Sequence, residues 1–111
     1  PKLEDLTIEH CERLHVLPEA IRHLSMVRKL KIDNCTDLEV LPEWLGDLVA
    51  LEYLEISCCQ KLVSLPEGLR SLTALEELIV SDCGSALTEN CRKETGKDWF
   101  KICHIPSILI S

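Results

Sequence analysis

The chain has 111 residues and a formal net charge of −7, and it is 46% hydrophobic but only 4% aromatic. This length suffices for one domain with a core, in which leucine, isoleucine and valine must supply the burial. The acidic balance argues against nucleic acid and anionic membrane surfaces as partners, because both require basic patches.

A 24-residue repeat runs through the sequence. Copies begin at Leu3, Val27 and Leu51 without insertions, and a fourth begins at Leu75. They share the pattern LxxLxIxxCxxLxxLPxxLxxL, and a leucine frame with a period of roughly 20–29 residues is the leucine-rich-repeat signature. A single unit cannot bury its own apolar side, so stacked units bury each other's. We predict one α/β domain over residues 1–111, a solenoid with a curved parallel sheet of about five short strands inside and short helical or 3₁₀ turns outside.

The first half of each repeat, LxxLxI, predicts a short strand that pairs in parallel with the next copy. Alternate side chains of a strand point to opposite faces. The leucine and the following isoleucine or valine of each strand are therefore expected to point into the core: Leu6 and Ile8, Leu30 and Ile32, Leu54 and Ile56, Leu78 and Val80.

The second half of each repeat begins at a proline, at Pro18, Pro42 and Pro66. Proline suits the first position of a helical turn, which predicts the outer layer. Trp44 stands in this turn where the sister repeats have small residues, and we expect it to lie flat over the neighbouring turn.

Cysteine occurs seven times, an odd number that does not favour a secreted disulfide scaffold. Four cysteines recur every 24 residues, at the place where the chain turns into the core after each strand. We interpret Cys11, Cys35, Cys59 and Cys83 as a buried structural ladder, since free cysteine behaves as a small apolar residue. Cys58 lies one position earlier and is expected near the rim.

After Cys83 the pattern stops, and it partly returns near the end of the chain. Residues 84–111 are predicted to form a cap and a degenerate last strand, with Trp99 and Ile102 covering the outer end of the core. The strand frame is carried by three isoleucines: Ile105, Ile108 and Ile110.

The cysteine ladder, the "LP" after it and the closing segment "CRKETGKDWFKICHIPSI" resemble one known family. They look like the C-terminal end of the leucine-rich-repeat domain of plant intracellular immune receptors, the nucleotide-binding disease-resistance proteins of the coiled-coil class. The family's chains often close on a similar segment, "KETGxDWxKIxHIPxI". The matching positions are Lys93–Gly96, Asp98–Trp99, Lys101–Ile102 and His104–Pro106.

The resemblance implies sensing rather than catalysis. It implies recognition of a pathogen effector or a guarded host protein, autoinhibitory packing on the nucleotide-binding domain of the same parent chain, and a cytoplasmic location. Pro1 is not a Met, and we expect the start to be a cut inside a longer protein. The alternative is a general leucine-rich-repeat scaffold or adaptor of the Ras-group plant type, which asparagine ladders and a uniform 23-residue period would have favoured.

The outward strand residues predict a protein-binding concave face. Tyr53 is its only aromatic residue, and tyrosine is enriched among interface residues that contribute most to affinity. Lys31 and Glu55 are expected to be lateral neighbours, and the alternative reading of the face is a solvated surface with a weak ion pair. The predicted face comprises Asp5, Thr7, Lys29, Lys31, Tyr53, Glu55, Glu77, Ile79 and Leu109.

Other chemistry finds little support in the sequence. Gly96–Lys97 lacks the upstream glycine and the following Ser or Thr of a P-loop, so no nucleotide or other cofactor is predicted. A zinc site from Cys91, Cys103 and His104 has no ligand pair at a usual short spacing, and no catalytic constellation is present. The bare edge of the first strand predicts self-association through that end.

Overall fold

The computed structural model describes residues 2–111, in which strands alternate with short helices. The strands are β1 (Asp5–Glu9), β2 (Lys29–Asp33), β3 (Tyr53–Ser57), β4 (Glu77–Ser81) and β5 (Ser107–Ile110). Three 3₁₀ helices follow the first three strands, at Glu19–His23, Glu43–Asp47 and Glu67–Ser71. Two short α-helices, α1 (Ser85–Asn90) and α2 (Trp99–Ile102), lie between β4 and β5.

The five strands form one parallel sheet in chain order, β1-β2-β3-β4-β5. The register follows the sequence repeat, so that Leu6 pairs with Leu30 and Leu30 pairs with Leu54. The sequence separation between paired residues is larger for the last two strands, where Leu78 pairs with Ile108, because the two α-helices lie between β4 and β5 in the chain. The predicted α/β class, with a parallel sheet of five short strands and few short helices, is confirmed.

A left-handed residue follows each of the first four strands. His10, Asn34, Cys58 and Asp82 have φ between 53° and 57°. Asn, Asp and His adopt this conformation more readily than other non-glycine residues, so three of the four are well suited to it. The backbone N–H of the first three donates to the last residue of the neighbouring strand, as from Asn34 to the Ser57 carbonyl at 2.9 Å, and that of Asp82 donates to Ser111, just after β5. This bend directs the chain from the sheet into the core.

The outer layer is built on the repeated prolines, each of which precedes a 3₁₀ helix instead of forming its first residue. The proline carbonyl accepts the first backbone hydrogen bond of the helix, as from Leu45 to Pro42 at 3.2 Å. The second and third 3₁₀ helices lie very close together. A Cβ on Gly68 would collide with the Glu43 carbonyl oxygen, and the Glu43 carboxylate accepts the Gly68 N–H at 2.8 Å.

The core lies between the sheet and these helices and consists mainly of leucine. Trp44 is half-buried and packs against this core. Ile102 of α2 is fully buried, whereas Trp99 is only half-buried and Ile108 and Ile110 remain partly exposed. The C-terminal segment therefore covers the end of the core only in part. No helix among residues 2–111 has the length and apolarity needed to cross a membrane.

Candidate functional site: the open face of the sheet

The face of the sheet that points away from the core is the candidate site, and we call it the open face. Its residues occupy three rows of the observed register. The first row runs through Asp5, Lys29, Tyr53, Glu77 and Ser107, the second through Thr7, Lys31, Glu55, Ile79 and Leu109, and the third through Glu9, Asp33, Ser57 and Ser81. Parallel pairing at a fixed offset produces these rows, because equivalent residues of successive repeats stand side by side.

Tyr53 forms a hydrogen bond within the open face. It is half-buried, and its hydroxyl donates a hydrogen bond to the Glu55 carboxylate two residues along the same strand. The bond to Glu55, together with burial, raises the pKa of Tyr53 to about 12, because ionisation would remove the donated proton beside a negative charge. The ring is thereby held in a fixed orientation on the face.

Two lysines stand next to this ring. Lys31 Nζ lies 5.9 Å from the centroid of the Tyr53 ring, within the range of a cation–π contact. The sequence predicts Lys31 and Glu55 as lateral neighbours, and the register places them side by side. Among residues 2–111, however, neither Lys29 nor Lys31 forms an ion pair, and the Glu55 carboxylate beside Lys31 accepts its hydrogen bond from Tyr53.

A depression opens beside the tyrosine at the β1 side of the face. Its volume is about 330 Å³, and the two unpaired lysines lie on its wall. The depression is lined by Asp5, Leu6, Thr7, Lys29, Lys31 and Tyr53. It is shaped to accept a polar group, and the lysines favour a negatively charged one.

The other side of the open face is apolar. Ile79 and Leu109 are register partners on β4 and β5, and Leu109 is 56% exposed. Glu55 on β3 lies between Lys31 on β2 and Ile79 on β4, and Glu77 lies on the same strand as Ile79. The lysines and the apolar pair therefore occupy different parts of the face, with acidic residues between or beside them.

The cysteine ladder is only partly as predicted. Cys35, Cys59 and Cys83 are buried, and each thiol donates to the carbonyl two residues earlier, as from Cys83 to Ser81 at 3.3 Å. Cys11 makes the same bond, to Glu9 at 3.7 Å, but it is exposed. The prediction of burial is wrong for Cys11 because, within residues 2–111, no strand and turn lie before β1 to cover it.

The remaining cysteines do not gather into a site. Cys91 is buried, and burial raises its pKa to about 12. Cys103 is exposed, and Cys58 is intermediate, as expected for a rim position. The His104 ring nitrogen lies 3.3 Å from the Leu72 carbonyl oxygen, a contact that fixes the tail. The zinc alternative therefore has its proposed ligands in different environments.

A cluster of possible metal ligands lies at the end of β1 and β2. The repeat pattern places Glu9 beside Asp33, but it does not indicate that His10 joins them. One potential ligand atom from each of Glu9, His10 and Asp33 lies within 4.8 Å of the others. The left-handed backbone at His10 brings its ring back beside the strand, next to the Asn34 amide at 3.0 Å. Glu9 and His10 are exposed, so water competes for both, and the arrangement can offer a divalent cation only a weak site.

Comparison with known proteins adds no identification. The sequence matches no protein-family model, and no curated protein is significantly similar to it.

Proposed function

We propose that the chain is the C-terminal segment of a leucine-rich-repeat solenoid from a plant intracellular nucleotide-binding immune receptor, and that it acts by binding protein through its open face. The single observation that carries the proposal is the match between repeat and register. Four parallel strand pairs keep equivalent residues of successive sequence copies side by side. Such an arrangement is what stacked leucine-rich repeats require.

The closing segment supports the family assignment, because its motif residues have structural roles that a cap needs. Gly96 has no room for a side chain, since a Cβ would collide with the Asn90 carbonyl oxygen. Asp98 is 1% exposed and accepts a hydrogen bond from the Leu65 backbone at 3.1 Å. Among the residues by which the tail resembles the receptors, Gly96 allows a tight turn within the tail, and Asp98 attaches the tail to the repeats.

The chemistry of the open face supports protein binding over catalysis. The face offers unpaired lysines, a hydrogen-bonded tyrosine and an apolar pair of which Leu109 is exposed, and these are the components of a contact surface. The partner in this proposal is a pathogen effector or a guarded host protein. The nucleotide-binding domain of the same parent chain is the autoinhibitory partner, and the setting is the cytoplasm.

The decisive test is the sequence that precedes Pro1 in the parent gene. A P-loop domain followed by further repeats supports the proposal. A short polar leader without a nucleotide-binding domain refutes it and favours the general scaffold or adaptor alternative.

A binding experiment tests the role of the face separately. The variants Tyr53→Ala and Lys31→Glu are screened beside the unaltered chain against a panel of purified effectors. Lys97→Glu is the matched control, because it makes the same charge reversal at an exposed position of the tail. Binding that the two face variants weaken tenfold or more, and the control retains, supports the proposal. Equal binding by all three variants contradicts it.

A further inference from the structure

The three inner strands of the sheet carry most of the charged side chains of the open face. β2, β3 and β4 each pair with a strand on both sides, so the character of this surface does not depend on either end of the sheet. We call the six outward residues in the first two rows of these strands the central patch. They are Lys29 and Lys31 on β2, Tyr53 and Glu55 on β3, and Glu77 and Ile79 on β4.

The lysines of the central patch form no ion pair among residues 2–111. Lys29 has the acidic Asp5 as its register neighbour on β1, whereas Lys31 has the neutral Thr7. On its other side Lys31 has Glu55, whose carboxylate accepts a hydrogen bond within its own strand. Lys31 is also exposed, so its ammonium group is available to an anionic group of a partner.

Carboxylates and an apolar side chain follow on the next two strands. Within the described chain neither Glu55 nor Glu77 forms an ion pair. Ile79 is half-buried and is the register partner of Glu55. Along the row that contains Lys31, β2 therefore presents a cation, β3 an anion and β4 an apolar side chain. A complementary partner presents an anion, a cation and an apolar side chain in the same order.

The central patch offers side chains to a partner but no free backbone edge. Both edges of β2, β3 and β4 are occupied by neighbouring strands, so a partner cannot add a strand to them. An α-helix satisfies its own backbone groups except at its ends and can bind through side chains alone. A helix is therefore the partner segment that suits this surface.

The spacing of the strands also matches a helix. Neighbouring strands lie about 4.8 Å apart and one helical turn rises about 5.4 Å, so a helix laid across the strands places one turn over each. From β2 to β4 the two spacings diverge by only about 1 Å. In an extended segment, side chains on one face recur about every 6.7 Å, which does not match. Each inner strand is five residues long, or about 16 Å, which is wide enough for a helix of about 10–12 Å diameter.

We infer that the central patch binds an amphipathic α-helix of the partner protein, with an acidic, a basic and an apolar side chain on three successive turns. The acidic side chain lies against Lys31, the basic one against Glu55 and Glu77, and the apolar one against Ile79. The inference rests on the proposed function, because it names the class of protein segment that the open face binds.

The test exchanges charges between the chain and a synthetic helix. The first probe is a peptide of alanine and glutamine with glutamate, lysine and leucine at positions i, i+4 and i+7, which lie on one face of a helix. The second probe has lysine in place of that glutamate, and the third has serine in place of the leucine. Each labelled peptide is titrated by fluorescence anisotropy with the unaltered chain, Lys31→Glu and the control Lys97→Glu, which reverses an exposed charge in the tail. Circular dichroism confirms that each variant is folded.

The unaltered chain and Lys97→Glu should bind the first peptide at least tenfold more tightly than the second or the third. Lys31→Glu should prefer the second peptide to the first, because its new carboxylate attracts the lysine of the second and repels the glutamate of the first. A preference that Lys31→Glu leaves unchanged overturns the inference. Failure of the unaltered chain to bind the first peptide at concentrations up to about 1 mM overturns it as well.

Lys31→Met keeps the test valid if the charge reversal prevents folding, and it should reduce the preference between the first two peptides at least tenfold. The inference and the proposed function fail separately. An effector that loses affinity with Tyr53→Ala but is not displaced by the first peptide overturns the helical partner and leaves the proposed function standing. A short polar leader before Pro1 refutes the receptor assignment, whereas the order of peptide affinities stays as stated.

Discussion

Asp98 and Lys101 hold the two backbone groups of a single residue, Leu65. The Asp98 carboxylate accepts the Leu65 N–H at 3.1 Å, and Lys101 Nζ donates to the Leu65 carbonyl at 2.7 Å. The two side chains also pair with each other at 2.7 Å. This closed network attaches the C-terminal segment to the loop before the third 3₁₀ helix. The side chain of Asp98 is 2% exposed and that of Lys101 is 16% exposed.

We expect Asp98→Ala to lower the free energy of unfolding by about 3–5 kcal/mol, because it leaves a buried ammonium group and a buried N–H without their partner. Lys101→Met should also destabilise the chain, and the double variant should lose less than the two single losses together. Urea denaturation measures all three. Arg92→Ala is the control, since its pair with Glu89 is exposed, and it should cost less than about 1 kcal/mol. A strictly additive double variant would contradict the network.

Gly68→Ala tests the close approach of the outer helices. The added Cβ meets the Glu43 carbonyl oxygen, so we expect a loss of about 1–3 kcal/mol in the free energy of unfolding as the two helices move apart. The first 3₁₀ helix has Ala20 at the equivalent position, and it is exposed. Ala20→Gly is therefore the control, with an expected cost of about 0.5–1 kcal/mol from backbone entropy alone. Thermal and urea unfolding should agree, and an unchanged stability of Gly68→Ala would argue against the close contact.

The titration of Tyr53 can be measured without labelling, because it is the only tyrosine of the chain. Its absorbance change near 295 nm should have a midpoint at about 12, against about 10 in 8 M urea. Glu55→Gln should move the folded midpoint down towards 10, since the negative acceptor is lost. Glu52→Gln, at the residue just before β3 and paired with Arg28, should leave the midpoint unchanged. A midpoint near 10 in the folded chain would exclude the bond between Tyr53 and Glu55.

Cys91 should make the chain less stable in alkali. Its pKa is about 12 in the folded state and about 8.5–9 in an unfolded chain, so the unfolded state loses the thiol proton first as pH rises. The stability that Cys91 contributes is complete below about pH 8 and declines between about pH 9 and 12. Urea midpoints measured from pH 7 to 10.5 should fall less steeply for Cys91→Ala. Cys103→Ala, at an exposed site, should keep the original slope.

The strand register was predictable from the sequence because the period is constant. When each copy has the same length and the pairing is parallel, the offset between neighbouring strands must equal the period, and the rows of the open face follow. The fifth strand was predictable for a related reason, since Ile108 and Ile110 repeat the spacing of Leu78 and Val80. Whether the open face binds a partner remains a prediction.

The hydrogen-bond partners of side chains were less predictable, because several neighbouring groups compete for the same donor or acceptor. Glu55 stands beside Lys31 across the strands, yet it accepts its bond from Tyr53 on its own strand. The network of Asp98 and Lys101 joins residues 33 and 36 positions apart in the chain, and no local pattern indicates such a contact. Cys11 is exposed because, within residues 2–111, no repeat lies before β1 to cover it. The sequence pattern of the first repeat is the same as that of the others, so the pattern alone does not indicate this exposure.

The close approach of Gly46 and Gly68 has a consequence for the opposite side of the molecule. Hydrogen bonds hold neighbouring strands about 4.8 Å apart, so their separation cannot vary much. On the back, a Cβ at Gly46 would lie 2.6 Å from the Gly68 carbonyl oxygen, so larger residues there would force the helices apart. With the front fixed and the back widened, neighbouring layers must tilt against each other. The size of the residues in the outer helices thus sets the curvature of the open face. A substitution in these helices, far from Lys31 and Leu109, therefore changes the distance between those two side chains that a partner must span.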